Sequence, residues 1–154
     1  MLGGLTFGAK FVMSSLPNIE PVSLLIMLFA VTFGVKALFP MGLYIVLEIL
    51  IYGIQLWNIN YLYVWPILLA VSLLMRKTES PLLWAVMSAV FGLLFGLLCA
   101  PVYLFAGGLT FAINWWLSGI PFDLLHCVGN FVITLLLFAP LRKLLGDLYR
   151  KYIL

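Results

Sequence analysis

The chain has 154 residues, 66% of them hydrophobic and only 8% charged, whereas soluble domains carry roughly 25% charged residues. Such a composition cannot supply the polar shell of a water-soluble fold, and it leaves no length for a separate soluble domain. The net charge of +3 comes from eight Lys or Arg against five Asp or Glu. These basic residues cluster at the ends of apolar runs, so they read as topology signals and not as a nucleic-acid surface.

A spanning helix needs about 20 apolar residues, so the length admits up to about six spans in one domain. The first is expected over 2–16, stopped by Pro17, with Asn18, Glu20 and Pro21 forming a polar turn that caps the next helix. The second is expected over 21–35, closing near Gly34 and Lys36, and the third over 38–56, with Pro40 tolerated in its first turn. Residues 57–61, Trp-Asn-Ile-Asn-Tyr, read as an aromatic, amide-rich turn before a fourth span over 62–75. The stretch Arg76-Lys77-Thr78-Glu79-Ser80 is the most polar of the chain and reads as a loop. Pro81 opens a fifth span reaching 106. A connection over 107–119 holds Asn114, Trp115 and Trp116, and a sixth span over 120–138 is expected to break at Pro140, ahead of a basic tail over 139–154. The expected fold is therefore an all-α bundle of six transmembrane helices.

Placing both ends in the cytoplasm puts Lys36, Arg76, Lys77, Arg142, Lys143, Arg150 and Lys151 inside and leaves the outside turns without Lys or Arg. Only Lys10, within the first span, stands apart. Trp57, Tyr61, Tyr63, Trp65, Tyr103, Trp115 and Trp116 then form an aromatic belt on the outer side. The N-terminus lacks a basic n-region and an A-x-A site, so no cleaved signal peptide is expected. No internal repeat aligns the two halves, which disfavours an inverted-repeat transporter. Cys99 and Cys127 lie in apolar runs and read as buried thiols. With one His and no clustered Cys, no metal site or cofactor is expected. Absence of a G-x-x-x-x-G-K-[ST] loop excludes ATP hydrolysis by this chain, and G-x-S-x-G and H-E-x-x-H are also missing, so no enzyme is expected.

Ionisable residues within spans are expensive and are functional candidates by default. Lys10 lies in the first span. Glu48 lies in the third, with Tyr44, Tyr52 and Gln55 at helical spacing. The two charges either pair with each other or leave Lys10 to meet an anionic group of a ligand. Asp123, His126, Asn130 and Thr134 fall on one stripe of the sixth span. Asp123 reads as an N-terminal cap or as part of a site. His126 and Asn130 read as interhelical hydrogen-bonding groups or as the wall of an outward-opening pocket. Asn18, Glu20, Asn58 and Asn60 in the outer turns, with Trp115 and Trp116, offer amide edges and stacking surfaces suited to a heterocycle. Gly4 and Gly8 form one small-residue seam, and Ser88, Gly92, Gly96 and Ala100 form another. The second is expected to pack within the chain, and the first is a candidate for docking a partner.

Taken together, the short spans, the Gly4/Gly8 seam, and two segments resemble the substrate-binding S components of energy-coupling factor (ECF) transporters. The segments are Leu16-Pro17-Asn18-Ile19-Glu20-Pro21 and Gly119-Ile120-Pro121-Phe122-Asp123-Leu124-Leu125-His126, running on to Gly129-Asn130-Phe131. The resemblance extends over essentially the whole chain. It implies high-affinity capture of a vitamin-like molecule in the cell membrane and docking through the first helix onto a membrane coupling subunit that carries two cytoplasmic ATPases. It implies a cargo pocket at Asn18, Glu20, Asn58, Asn114, Trp115, Asp123, His126 and Asn130, and a docking pair at Gly4 and Gly8, with Gly where the family usually has Ala. Two rival readings stand beside it: an MreD-like cell-shape scaffold without transport, and a small ion-coupled transporter built on Lys10 and Glu48.

Overall fold

The computed structural model describes residues 1–15 and 19–152. Its described residues form helices and turns: α1 (Leu2–Val12), α2 (Val22–Phe33), a 3-10 turn (Gly34–Ala37), α3 (Leu38–Tyr52), α4 (Leu56–Leu74) and α5 (Pro81–Tyr152). The last element is not one rod. Gly108 sits at φ 82° and ψ 178°, a backbone state open essentially to Gly alone, and divides α5 into a first arm, 81–107, and a second arm, 109–152.

The two arms lie antiparallel. Tyr103 stacks on Trp115, Trp84 stacks on Phe138, and the Asn130 side chain donates to the Ser88 carbonyl. α4 runs antiparallel to the first arm, with Tyr63 donating to the Leu98 carbonyl and Trp65 against Phe91 and Phe95. α1 and α3 run parallel, since Gly3 lies against Pro40 and Lys10 meets Glu48. α2 runs parallel to the second arm, from Ser23 beside Asn130 to Phe33 against Tyr149. Successive helical segments therefore alternate in direction. One end of the molecule, here the basal end, gathers Met1, Leu2, Phe33, Leu145 and Tyr149. The opposite, apical end carries the α3–α4 turn and the Gly108 bend.

α2 is central. Every residue from Val22 to Ala30 is buried, as expected of a helix apolar on all faces and enclosed by α1, α4 and α5. Elsewhere polarity is inverted relative to a soluble protein. Buried positions include Ser23, Glu48, Asn60, Ser72, Ser88, Asp123, His126, Asn130 and Thr134, whereas Leu50, Leu74, Phe105, Leu136 and many other large apolar side chains are exposed. Water would penalise that surface and hydrocarbon would not. Three helical stretches are long and apolar enough to cross a membrane: 22–52, 56–74 and 81–152; Leu2–Val12 is apolar but shorter.

Several expected boundaries are corrected. α1 ends at Val12, and the expected Pro17 stop and Asn18 turn lie outside the described residues. Residues 57–61 are not a turn; α4 begins at Leu56, because Gly53 (φ 78°) ends α3 and the Asn58 side chain accepts the Gln55 N–H at 2.6 Å, starting the next helix. The expected connection over 107–119 is helical apart from Gly108, so the last helix begins at 109 and not at 120. Pro140 does not break it, and the expected tail is helical to Tyr152. One missing backbone hydrogen bond at a proline is tolerated where neighbouring helices support the chain. Such support is present here, since Arg142 donates to the Thr78 carbonyl at 2.8 Å and Trp84 Nε1 donates to the same oxygen at 3.0 Å.

Candidate functional site

The polar groups of the interior fall into two clusters joined by aromatic rings. The first is built on α1, α3 and α4. Lys10 Nζ lies 2.8 Å from Glu48 Oε2 and 3.4 Å from the Tyr61 hydroxyl, and 5.8 and 5.5 Å from the ring centroids of Tyr44 and Tyr61. Glu48 is 1% exposed and Lys10 21%, so the pair is shielded and its Coulomb attraction is far stronger than in water. Tyr44 sits one turn before Glu48 on α3, and Tyr61 and Trp65 sit one turn apart on α4, so each helix presents two side chains to the same space.

Glu20 adds a second carboxylate from the α1–α2 connection. Burial pushes its carboxyl above the ordinary value of 4.5, Lys10 opposes that shift, and Glu48 adds to it. Ile19, just before Glu20, does not lie at the apical tip. Ile19 packs on Gly129, which stands roughly 30 Å of helix below the Gly108 bend at 1.5 Å per residue. The chain dips into the bundle there, and a Cβ at Gly129 would stand 3.2 Å from the Ile19 side chain, a tight fit.

The second cluster is the stripe on the second arm. It faces the small-residue seam of the first arm. A Cβ at Gly92 would stand 2.9 Å from the His126 carbonyl, and a Cβ at Gly96 would collide with the Asp123 carboxylate. Asp123 Oδ1 instead accepts the Gly96 N–H at 3.0 Å. Asn130 donates to Ser23 Oγ at 3.2 Å and to the Ser88 carbonyl at 3.1 Å. His126 is edge-on to Phe95 at 5.0 Å. The run Tyr44, Tyr61, Trp65, Phe95, His126 links the two clusters through ring contacts of 5.0 to 6.1 Å.

These positions do not form one pocket of the expected membership. Asn18 lies outside the described residues. Asn58 is buried and starts α4, so its carbonyl oxygen is committed to the backbone. Asn114 is exposed on the second arm, and Trp115 is stacked on Tyr103 at 3.7 Å. Asn130 and one oxygen of Asp123 are held within the bundle. Glu20 and His126 keep the strongest claim, and Lys10 and Glu48 are paired. Tyr61 and Trp65, expected in an interfacial belt, are buried at 8% and 0% exposure and belong to the site. The signal for them was in the sequence: Asn58, Tyr61, Trp65, Leu68 and Ser72 follow helical spacing on one face.

Several buried polar atoms find no hydrogen-bond partner among the described residues: Glu48 Oε1, Asn58 Nδ2, Trp65 Nε1, Ser88 Oγ, Asp123 Oδ2, His126 Nε2 and Thr134 Oγ1. Buried polar groups are nearly always satisfied, so these atoms are the candidates for contact with water or a ligand. Among the described residues no three His, Cys, Asp or Glu side chains converge as a metal site would require. What the arrangement offers is hydrogen-bonding atoms, ring faces and charge.

Comparison with protein-family models, with curated proteins and with solved structures gives no match for this chain.

Proposed function

We propose that the chain is a substrate-capture subunit of the ECF S-component type, embedded in the cell membrane with six crossings and both ends in the cytoplasm. The observation that carries this reading is the set of buried, unsatisfied polar groups at Glu48, Trp65, Asp123 and His126, inside helices whose outer surface is apolar. A scaffold has no use for unmet hydrogen-bonding capacity at its centre, where each such group costs about 1–3 kcal/mol. A capture protein recovers that cost when its ligand enters.

The alternating helix directions support six crossings, with α1 as a short first span and the arms of α5 as the last two. Lys36, Arg76, Lys77, Arg142, Lys143, Arg150 and Lys151 belong to the basal end, which is then the cytoplasmic one. Gly4 and Gly8 meet nothing where a side chain would stand, so that face of α1 is open to a helix of a coupling subunit. ATP hydrolysis is assigned to two partner ATPases.

The test is native mass spectrometry of the purified full-length chain, grown in several media. A co-purified water-soluble small molecule of vitamin size is expected. Lipid alone in every medium refutes the capture reading and favours the scaffold.

A further inference from the structure

The basal end is basic, and part of it is shaped into a cleft. A cavity of about 570 Å³ lies between the α4–α5 connection and the second arm of α5. Glu79 borders it on one side and Arg142, Lys143, Asp147 and Arg150 on the other, with Phe138 and Ala139 at its apolar edge. Arg142 is fixed in place. Its guanidinium donates to the Thr78 carbonyl at 2.8 Å and to the Arg76 carbonyl at 3.4 Å. The Thr78 oxygen also accepts from Trp84 Nε1 at 3.0 Å, and Trp84 stacks on the buried Phe138. A guanidinium has five N–H donors, so this one is held rigid with donors to spare.

Charge around the cleft is unbalanced. Arg150 pairs with Asp147, but both side chains are exposed, and such a surface pair contributes little and exchanges readily. Among the described residues neither Arg142 nor Lys143 has a carboxylate within ion-pair distance. Arg76 and Lys77 adjoin through the carbonyl that holds Arg142. Arg76, Lys77, Arg142, Lys143 and Arg150 therefore stand against Glu79 and Asp147 alone. On the membrane side, Leu135, Leu136 and Leu137 of the second arm and Leu82 and Leu83 of the first are exposed. The cleft thus sits where apolar surface meets a basic rim. A soluble anion would use only the rim. A phospholipid uses both, with its phosphate at the cations and its acyl chains along the leucines.

We propose that this cleft binds the headgroup of an anionic phospholipid, its phosphate held by Arg142 and Lys143 and by an Arg150 that exchanges Asp147 for the lipid. The site is separate from the polar interior and stands whether or not the chain captures a ligand there. Glu79 borders the cleft with no cationic partner among the described residues. It opposes an anionic headgroup and would favour one bearing an ammonium, which gives the test its sign.

The full-length chain is placed in phosphatidylcholine nanodiscs holding equal minor shares of phosphatidylglycerol and phosphatidylethanolamine, and the lipids retained by the protein are read by native mass spectrometry. Enrichment of phosphatidylglycerol over both other lipids is expected. Lys143→Gln with Arg150→Gln is expected to lower that enrichment about tenfold, whereas Lys36→Gln with Lys151→Gln, which removes the same charge outside the cleft, is expected to change it by less than about twofold. Glu79→Gln is expected to raise it. All five positions are exposed, so these changes spare the packing of the bundle. Equal losses from the two double variants overturn the site and leave only diffuse attraction to the basal end. No enrichment of phosphatidylglycerol, or a preference for phosphatidylethanolamine that Glu79→Gln abolishes, overturns the anionic headgroup. Displacement of the lipid by excess inorganic phosphate assigns the cleft to a soluble anion and overturns the lipid.

Discussion

The backbone N–H of Gly96 donates to Asp123 Oδ1 at 3.0 Å, and the same carboxylate fills the space that a methyl group on Gly96 would need. This one relationship fixes how closely the two arms of α5 approach. Gly96→Ala is therefore expected to destabilise the protein by about 1–3 kcal/mol through overpacking. Asp123→Ala empties that space, so adding it to Gly96→Ala is expected to cost less than the two single changes summed, with a coupling of at least about 0.5 kcal/mol. Thermal unfolding of the four proteins in detergent measures both quantities; strict additivity would show that the carboxylate does not set the approach.

Lys10 and Glu48 form the shielded ion pair of the first cluster. Lys10→Met leaves Glu48 buried without its cation and is expected to cost about 3–5 kcal/mol. Glu48→Gln keeps an acceptor for Lys10 and is expected to cost less. The double change Lys10→Met with Glu48→Met removes both charges and is expected to recover most of the loss, because an apolar pair of similar volume meets no desolvation penalty. Equal damage from Lys10→Met and the double variant in unfolding measurements would contradict this account.

The helical, membrane-compatible character was legible in the sequence, because long apolar runs with few charges leave little choice of fold. The two stripes of α5 were legible as well. The small-residue seam over Ser88, Gly92, Gly96 and Ala100 and the polar stripe over Asp123, His126 and Asn130 follow from helical spacing alone. That the two stripes face each other was not legible, because spacing places residues on a face without naming the helix opposite. The bend was hidden for a related reason: Gly107 and Gly108 are adjacent, and only tertiary packing selects Gly108 for positive φ. Asn58 and Trp65 were misplaced because an amide-rich aromatic stretch reads as an interfacial turn, whereas here its amide starts a helix and Tyr61 and Trp65 turn inward while Trp57 stays exposed.

The upward shift of the Glu20 carboxyl sets the sign of an expected pH dependence. Burial raises its folded-state value above the ordinary 4.5, despite the opposing pull of Lys10. The folded chain thus holds this proton more tightly than the unfolded chain. The stability contributed by the group is full below pH about 4.5 and is lost as pH rises through the higher folded value. Glu20→Gln removes the titration. Between about pH 4 and pH 7 the wild type is expected to lose stability relative to Glu20→Gln, as followed by unfolding temperature in matched buffers. Parallel profiles for the two proteins would show that Glu20 ionises without penalty.

Gly3, Gly4 and Gly8 lie within two turns of α1, yet they face different surroundings. A Cβ at Gly3 would stand 2.6 Å from the Pro40 carbonyl oxygen and 2.8 Å from the Leu43 Cβ, whereas positions 4 and 8 are open. Gly3→Leu is expected to separate α1 from α3 and to destabilise the isolated protein by about 1–3 kcal/mol. Gly4→Leu and Gly8→Leu are expected to leave its unfolding temperature unchanged or slightly raised, since leucine is the better helix former. If the open face docks a coupling subunit, the same two changes abolish co-purification with that subunit, because close backbone approach depends on small residues. Retained co-purification in a Gly4→Leu, Gly8→Leu double variant of normal stability would remove α1 from the docking surface.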